Sequence, residues 1–195
     1  MKSKEEQFWN WFTDNQENLH TLDENDINLF DELTQQLRDV HQGLSFELST
    51  KPLACIKDLY ISANGIKKNF PVVIDLIKVA PKLPNWSIKA FRQRIFNDDI
   101  CISTNSIELS YSDLFFSWTN DYDKIALEIH ARAFQDNDNF INAIYILLDA
   151  LLGEYDVGTQ ISCINWVKLD EKNINELLPF IELRRLIDHN KAIKN

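Results

Sequence analysis

The residues best suited to chemistry lie in one alternating run. Glu128, His130 and Arg132 occupy every second position, and Ile125, Leu127, Ile129, Ala131 and Ala133 fill the others. On a strand, such side chains leave one face at intervals of roughly 7 Å. An acid, an imidazole and a guanidinium in a row supply a base, a proton shuttle and an anion anchor. That would be the equipment of a hydrolase-type site. The same row also reads as a solvated sheet face with mutually compensating charges.

Paired carboxylates come next, at Asp98 and Asp99, Asp121 and Asp123, Asp136 and Asp138, and Glu154 and Asp156. Such pairs suit a hard cation, but a calcium loop also needs oxygen at its fifth position and glycine at its sixth. Counting from Asp136 these are Phe140 and Ile141; from Asp121 they are Ile125 and Ala126. Turn chemistry explains the pairs more simply, because Asp bonds its own backbone there. His20, His41, His130 and His189 stand alone, and no zinc-binding, nucleophile-elbow or glycine-rich phosphate motif occurs. The expectation is therefore no metal and no cofactor.

Charge patterning points elsewhere. Residues 1–42 hold three basic and ten acidic side chains, a net −7, and residues 111–160 hold two and nine, again −7. Between them residues 43–110 carry +3, and the whole chain carries −10. A net negative chain repels phosphate, which argues against a nucleic-acid or anionic-membrane binder. Lys67, Lys68, Lys78, Lys82, Lys89, Arg92 and Arg94, beside Trp86 and Phe91, form a basic stretch. Basic residues interleaved with aromatics can hold a single strand. Pairing with the acidic helices of the same or a neighbouring molecule is the more economical reading. The acids Asp23, Glu24, Asp26, Asp31 and Glu32 are candidate contacts for a basic protein partner. Phe8, Trp9, Trp11 and Phe12 span more than one side of a helix, so Trp9 or Trp11 is a candidate interface anchor.

The elements that would position these groups follow from periodicity. Phe8, Phe12 and Leu19 mark a helix from about Lys4 to Leu19. Ile27, Phe30, Leu33, Leu37 and Val40 share one face of a second, with Asp23 as its cap and Gly43 as its stop. Leu44, Phe46 and Leu48 alternate with polar residues as a strand, and Ile56 to Ala63 reads as its hairpin mate. A helix with Pro71 in its first turn follows, then a strand within 86–96. Hairpins are expected around Asn105-Ser106 and around 120–123. The run from Asp138 to Leu152 is apolar nearly all round, as a buried central helix would be, and Gly153 ends it. Val157 to Leu169 reads as a long strand, and a last helical region runs from Asn173 to about Lys191, broken at Pro179.

The expected class is α+β. The expected form is a single domain over 1–195: one antiparallel sheet, an N-terminal helical hairpin over 1–42 that could be an appendage, the buried helix and a C-terminal helix. A chain of 195 residues, 45% hydrophobic, can bury a core without metals or disulfides. Its longest uncharged apolar run, Asn139 to Leu148, is too short to span a bilayer. The start, MKSKEEQFWNWF, lacks the apolar core of a secretion leader. Cys55, Cys101 and Cys163 are odd in number and widely spaced, and read as buried reduced thiols. Together these suggest a cytoplasmic protein.

In size, acidity and lack of a catalytic motif the chain is similar in character to many small bacterial cytosolic proteins, some of which are immunity proteins that neutralise a cognate toxin. The likeness covers no motif, so it assigns no residue. The functional expectation is a non-enzymatic interaction protein, an immunity or inhibitor protein among the possibilities. The alternatives are a hydrolase using Glu128, His130 and Arg132, and a homo-oligomeric subunit whose acidic and basic stretches meet across a two-fold.

Overall fold

The structure is a computed structural model that describes residues 2–22, 26–49, 55–104 and 107–194. The fold is α+β, as expected, and the described residues form three small sheets rather than one. Contacts group the chain into two compact units, residues 1–92 and 93–195. Among the described residues no helix is long and apolar enough to cross a membrane.

The first unit opens with α1 (Lys4–Thr21) and α2 (Ile27–Val40). A capping box starts α1: the Ser3 hydroxyl accepts from the Glu6 N–H at 3.2 Å, and the Glu6 carboxylate accepts from the Ser3 N–H at 3.0 Å. Asp26, not Asp23, is the N-cap position of α2; Asp23 lies outside the described residues. Strands β1 (Ser45–Leu48) and β2 (Lys57–Ser62) form the expected antiparallel pair. The Pro71 helix is α3 (Phe70–Lys78), and the ambiguous segment is a strand, β3 (Trp86–Ala90). However, β3 runs parallel to β2. The chain crosses through α3 between them, so β2–α3–β3 is a crossover unit within a sheet expected to be antiparallel throughout.

One face of this sheet meets the helices. Leu59 and Ile61 of β2 and Trp86 of β3 are buried with Phe8, Phe12 and Leu19 of α1 and Leu33 and Leu37 of α2. The helical hairpin therefore belongs to the core of its unit. Helix α2 ends at Val40 with an extended His41 as its C-cap, short of the expected stop at Gly43. Gly43 is required instead by its close approach to Asn69. A Cβ there would sit 2.3 Å from Nδ2 of the buried Asn69.

A polar tie also joins sheet to helix. Lys57 is only 5% exposed, and its ammonium donates to the carbonyls of Leu19, His20 and Leu22 at 3.0, 3.2 and 3.2 Å. These carbonyls lie at the C-terminal end and C-cap of α1, where the helix dipole favours a cation, and the Leu19 carbonyl also accepts from the Leu22 N–H at 3.4 Å. Burial holds the Lys57 pKa below its ordinary value.

The second unit contains the hairpin β4 (Cys101–Ser103) with β5 (Glu108–Ser110) and a four-stranded sheet. The turn between β4 and β5 lies outside the described residues. The larger sheet contains β6 (Leu114–Asp121), β7 (Lys124–Ala131), β8 (Ile161–Lys168) and β9 (Leu178–Pro179), ordered β8-β7-β6-β9. The β6–β7 turn is tighter than expected, with two residues and Tyr122 at φ 55°. Helix α4 (Asp138–Leu152) follows, capped by the Asn137 side chain. Its last half is buried as expected, but Tyr145 and Ile146 near its middle are exposed. Gly153 stops it at φ 84°. A short helix, α5 (Glu154–Gln160), occupies the start of the expected strand, so β8 begins only at Ile161, and it pairs parallel to β7. The C-terminal region divides into a 3₁₀ turn over 171–176, the two-residue β9, and α6 (Leu183–Lys194).

Tyr111, just after β5, is buried with its ring against Phe180, centroids 5.4 Å apart. Burial pushes its phenol up to about 12, and its hydroxyl has no hydrogen-bond partner among the described residues. A buried unmade bond is costly. Tyr111→Phe is thus expected to leave stability unchanged or raise it by about 1 kcal/mol. Thermal melts of the two proteins check this; a clear drop would mean that the hydroxyl is satisfied in solution.

Candidate functional site

The alternating run forms β7 as expected, with Ile125, Leu127, Ile129 and Ala131 buried and Glu128 and His130 on the opposite face. The strand ends at Ala131, so Arg132 lies just past it, and Ala133 (φ 49°) is no longer part of the apolar face. His130 Nε2 lies 3.1 Å from Glu128 Oε1. The alignment is poor for a hydrogen bond, and Nε2 is buried with no hydrogen-bond partner among the described residues. Register places Phe115 of β6 and Val167 of β8 on either side of His130.

Arg132 is committed elsewhere. Its Nε donates to Glu171 at 2.8 Å, its Nη1 to the Ser112 carbonyl at 2.8 Å, and its guanidinium lies 5.3 Å from the Phe115 ring centroid. The Glu171 bond raises its pKa further. The expected anion anchor thus already holds an anion of this chain.

Cys163 departs from expectation. All three cysteines are free and exposed, not buried. In β8 the cause is an irregularity beside Ile125 and Ala126: Ile161 pairs with Ile125, but Cys163 pairs with Ala126. The extra residue, Ser162, breaks the alternation and turns Cys163 to the Glu128 face. Cys163 and His130 do not form a nucleophile–base pair. Their register positions are four residues apart, roughly 13 Å along the strand.

The carboxylate pairs also resolve into structure. Asp98 accepts from Arg184 at 3.1 Å. Glu154 and Asp156 are buried in α5 rather than lying in a turn, and Asp156 bonds Lys191 at 2.8 Å, with Arg94 at 3.5 Å. No cluster of metal-ligating side chains occurs among the described residues.

The basic stretch is partly consumed within its own units. Lys89 bonds Asp58 at 2.7 Å, Arg92 bonds Glu47, and Arg94 holds Asp188 through two 2.9 Å bonds. Burial pushes the Asp58 carboxyl up, but Lys89 and the Ser87 and Tyr60 hydroxyls outweigh it and hold it below the ordinary range. In the first unit Lys89 and Arg92 thus meet acids of the sheet, not of the helices as expected.

The hairpin acids remain on the surface. Asp31 and Glu32 of α2 are exposed, as is the N-cap Asp26; Glu24, like Asp23, lies outside the described residues. Among these acids α2 also exposes apolar side chains: Ile27 is 66% and Phe30 47% exposed. The Phe30 ring packs on Phe46 of β1 at 4.8 Å. These two residues were expected on the buried face. Instead Leu33, Leu37 and Val40 alone bury fully, leaving the first turn of α2 with an apolar outer surface. The two tryptophans differ in exposure, and Trp9 is not on the surface as an anchor would be. Trp9 is buried and donates its indole N–H to the Leu76 carbonyl at 2.8 Å, and Trp11 is half-buried against the same core. Aromatics at helical spacing fill the core first, because each removes a large apolar area from water.

No family model matches the chain, and neither a curated protein nor a solved structure is significantly similar to it.

Proposed function

We propose that this chain is a non-enzymatic interaction protein that captures a basic protein partner on the outer face of α2. The observation that carries this reading is the exposed Ile27–Phe30 patch set among Asp26, Asp31 and Glu32. Apolar anchors ringed by charge are the usual energetic anatomy of an interface. The acids would steer a basic partner and speed its arrival, while the apolar pair would slow its departure. An inhibitor or immunity role follows naturally from such a surface. Three exposed free thiols suit a reducing compartment, which supports a cytoplasmic setting. The commitment of Arg132 to Glu171 weighs against the hydrolase reading.

The reading separates two kinds of variant. Asp31→Lys with Glu32→Lys should lower the association rate about tenfold or more at low salt, within the range of electrostatic steering. Ile27→Ala with Phe30→Ala should instead raise the dissociation rate. Surface-immobilised binding kinetics with the captured partner measure both. Equal rates for all three proteins would remove α2 from the interface.

A further inference from the structure

Among the described residues the larger sheet ends on β8, which pairs with β7 and with no strand on its other side. An edge strand presents unpaired N–H and C=O groups, and proteins usually shorten it, charge it or cover it. Here the edge is eight residues long and uncharged until Lys168. Past the irregularity at Ser162, residues 163–167 run in regular register.

Apolar surface continues from this edge. Ile164 and Trp166 lie on the core side of β8 but are only partly buried. The Trp166 ring meets Tyr145 of α4 at 5.2 Å, and there Tyr145 is 41% and the adjacent Ile146 58% exposed.

We infer that β8 pairs with β8 of a second copy, antiparallel about a two-fold axis at Asn165, joining two four-stranded sheets into one. A second copy is the occupant that the charge pattern favours. Each chain carries −10, so two copies repel over most of their surfaces, and the uncharged 161–167 edge is a place where they can meet without opposing like charges. A two-fold antiparallel contact is self-complementary, so one pairing satisfies both edges. The centre follows from the strand itself. With Asn165 on the axis, Ile164 faces Trp166 of the second copy, and Cys163 faces its Val167. All five regular residues then pair, and Lys168 falls opposite Ser162. A centre at Ile164 would bring Ser162 and its irregularity into the paired stretch, and a centre at Trp166 would set Lys168 against Ile164. Cross-strand aromatic–aliphatic pairs are favourable, which selects the Asn165 register.

This contact lies in the second unit and is independent of the α2 surface. Its salt response is also opposite. Screening weakens capture of a basic partner, but it relieves repulsion between two acidic copies and should strengthen this dimer.

Sedimentation velocity from 1 to 300 µM protein, in 50 and 500 mM sodium chloride, reads the mass directly. The expected result is a rise from 22.8 kDa toward twice that mass, earlier at high salt. Asn165→Lys, which sets two like charges face to face, should stay monomeric with an unchanged thermal melt. In a background with Cys55, Cys101 and Cys163 replaced by Ser, Asn165→Cys should oxidise to a covalent dimer faster than Ser103→Cys on the exposed hairpin. A single 22.8 kDa species at every concentration and salt would overturn the inference. So would cross-linking of Asn165→Cys no faster than that of Ser103→Cys.

Discussion

Replacing Lys57 by methionine should destabilise the first unit by about 3 kcal/mol, a typical consequence of leaving buried acceptors without their charged donor. The methionine fits the apolar stem, but the carbonyls of Leu19, His20 and Leu22 lose the ammonium that joins the end of α1 to β2. The pH response identifies the cause. The folded-state pKa of Lys57 lies below 10.5, so between that lowered value and 10.5 the unfolded chain binds more protons. Wild-type stability should therefore gain from Lys57 as pH rises through this window, and Lys57→Met should lack the gain. Urea denaturation followed by tryptophan fluorescence measures both, because Trp9, Trp11 and Trp86 lie in this unit. A loss under 1 kcal/mol would mean that water replaces the ammonium at the helix end.

The second large effect is expected at Arg94. Its guanidinium holds Asp188 by two bonds of 2.9 Å, reaches the Leu152 carbonyl at the end of α4, and lies 3.5 Å from Asp156. Arg94→Met should lower the stability of the second unit by about 2–3 kcal/mol, since a largely buried charged donor leaves several acceptors behind. The Arg94 hydrogen bond holds the Asp188 carboxyl below its ordinary 3.8, against a smaller opposing push from burial. The corresponding stability is present above 3.8 and is lost as pH falls toward the lowered folded value. Arg94→Met should therefore show a shallower acid loss than the wild type. Fluorescence of Trp118 and Trp166 under acid titration in urea reads this unit; parallel acid slopes would contradict the account.

Both residues show where sequence reading runs out. The spacing of Phe8, Phe12 and Leu19 specifies α1, because helical periodicity is local and one buried face follows from it. Nothing near Lys57 in the chain reveals its carbonyl partners, which lie 35–38 residues earlier. The parallel pairing of β3 with β2 is hidden for a similar reason: alternation specifies a strand but not the direction of its neighbour. Plain alternation puts Cys163 on the core face, and the irregularity at Ser162 moves it to the other. The exposure of Asp31 and Glu32 is legible in the sequence because charge stays in water, whereas the burial of Trp9 is not. An aromatic pair at 9 and 11 does not tell which ring finds the core. Period alone puts Ile27 and Phe30 on the buried face of α2, whereas the packing of the sheet and helices leaves both exposed.

The most direct test of the central claim is a paired capture experiment. Wild-type chain and the Asp31→Lys, Glu32→Lys variant are used as baits for lysate of the native host, washed at low and high salt, and the retained proteins are quantified by mass spectrometry. The account predicts one stoichiometric basic protein on the wild type, released as salt rises and absent from the charge-reversed bait. Retention of the same protein by both baits, or a partner indifferent to salt, would contradict it.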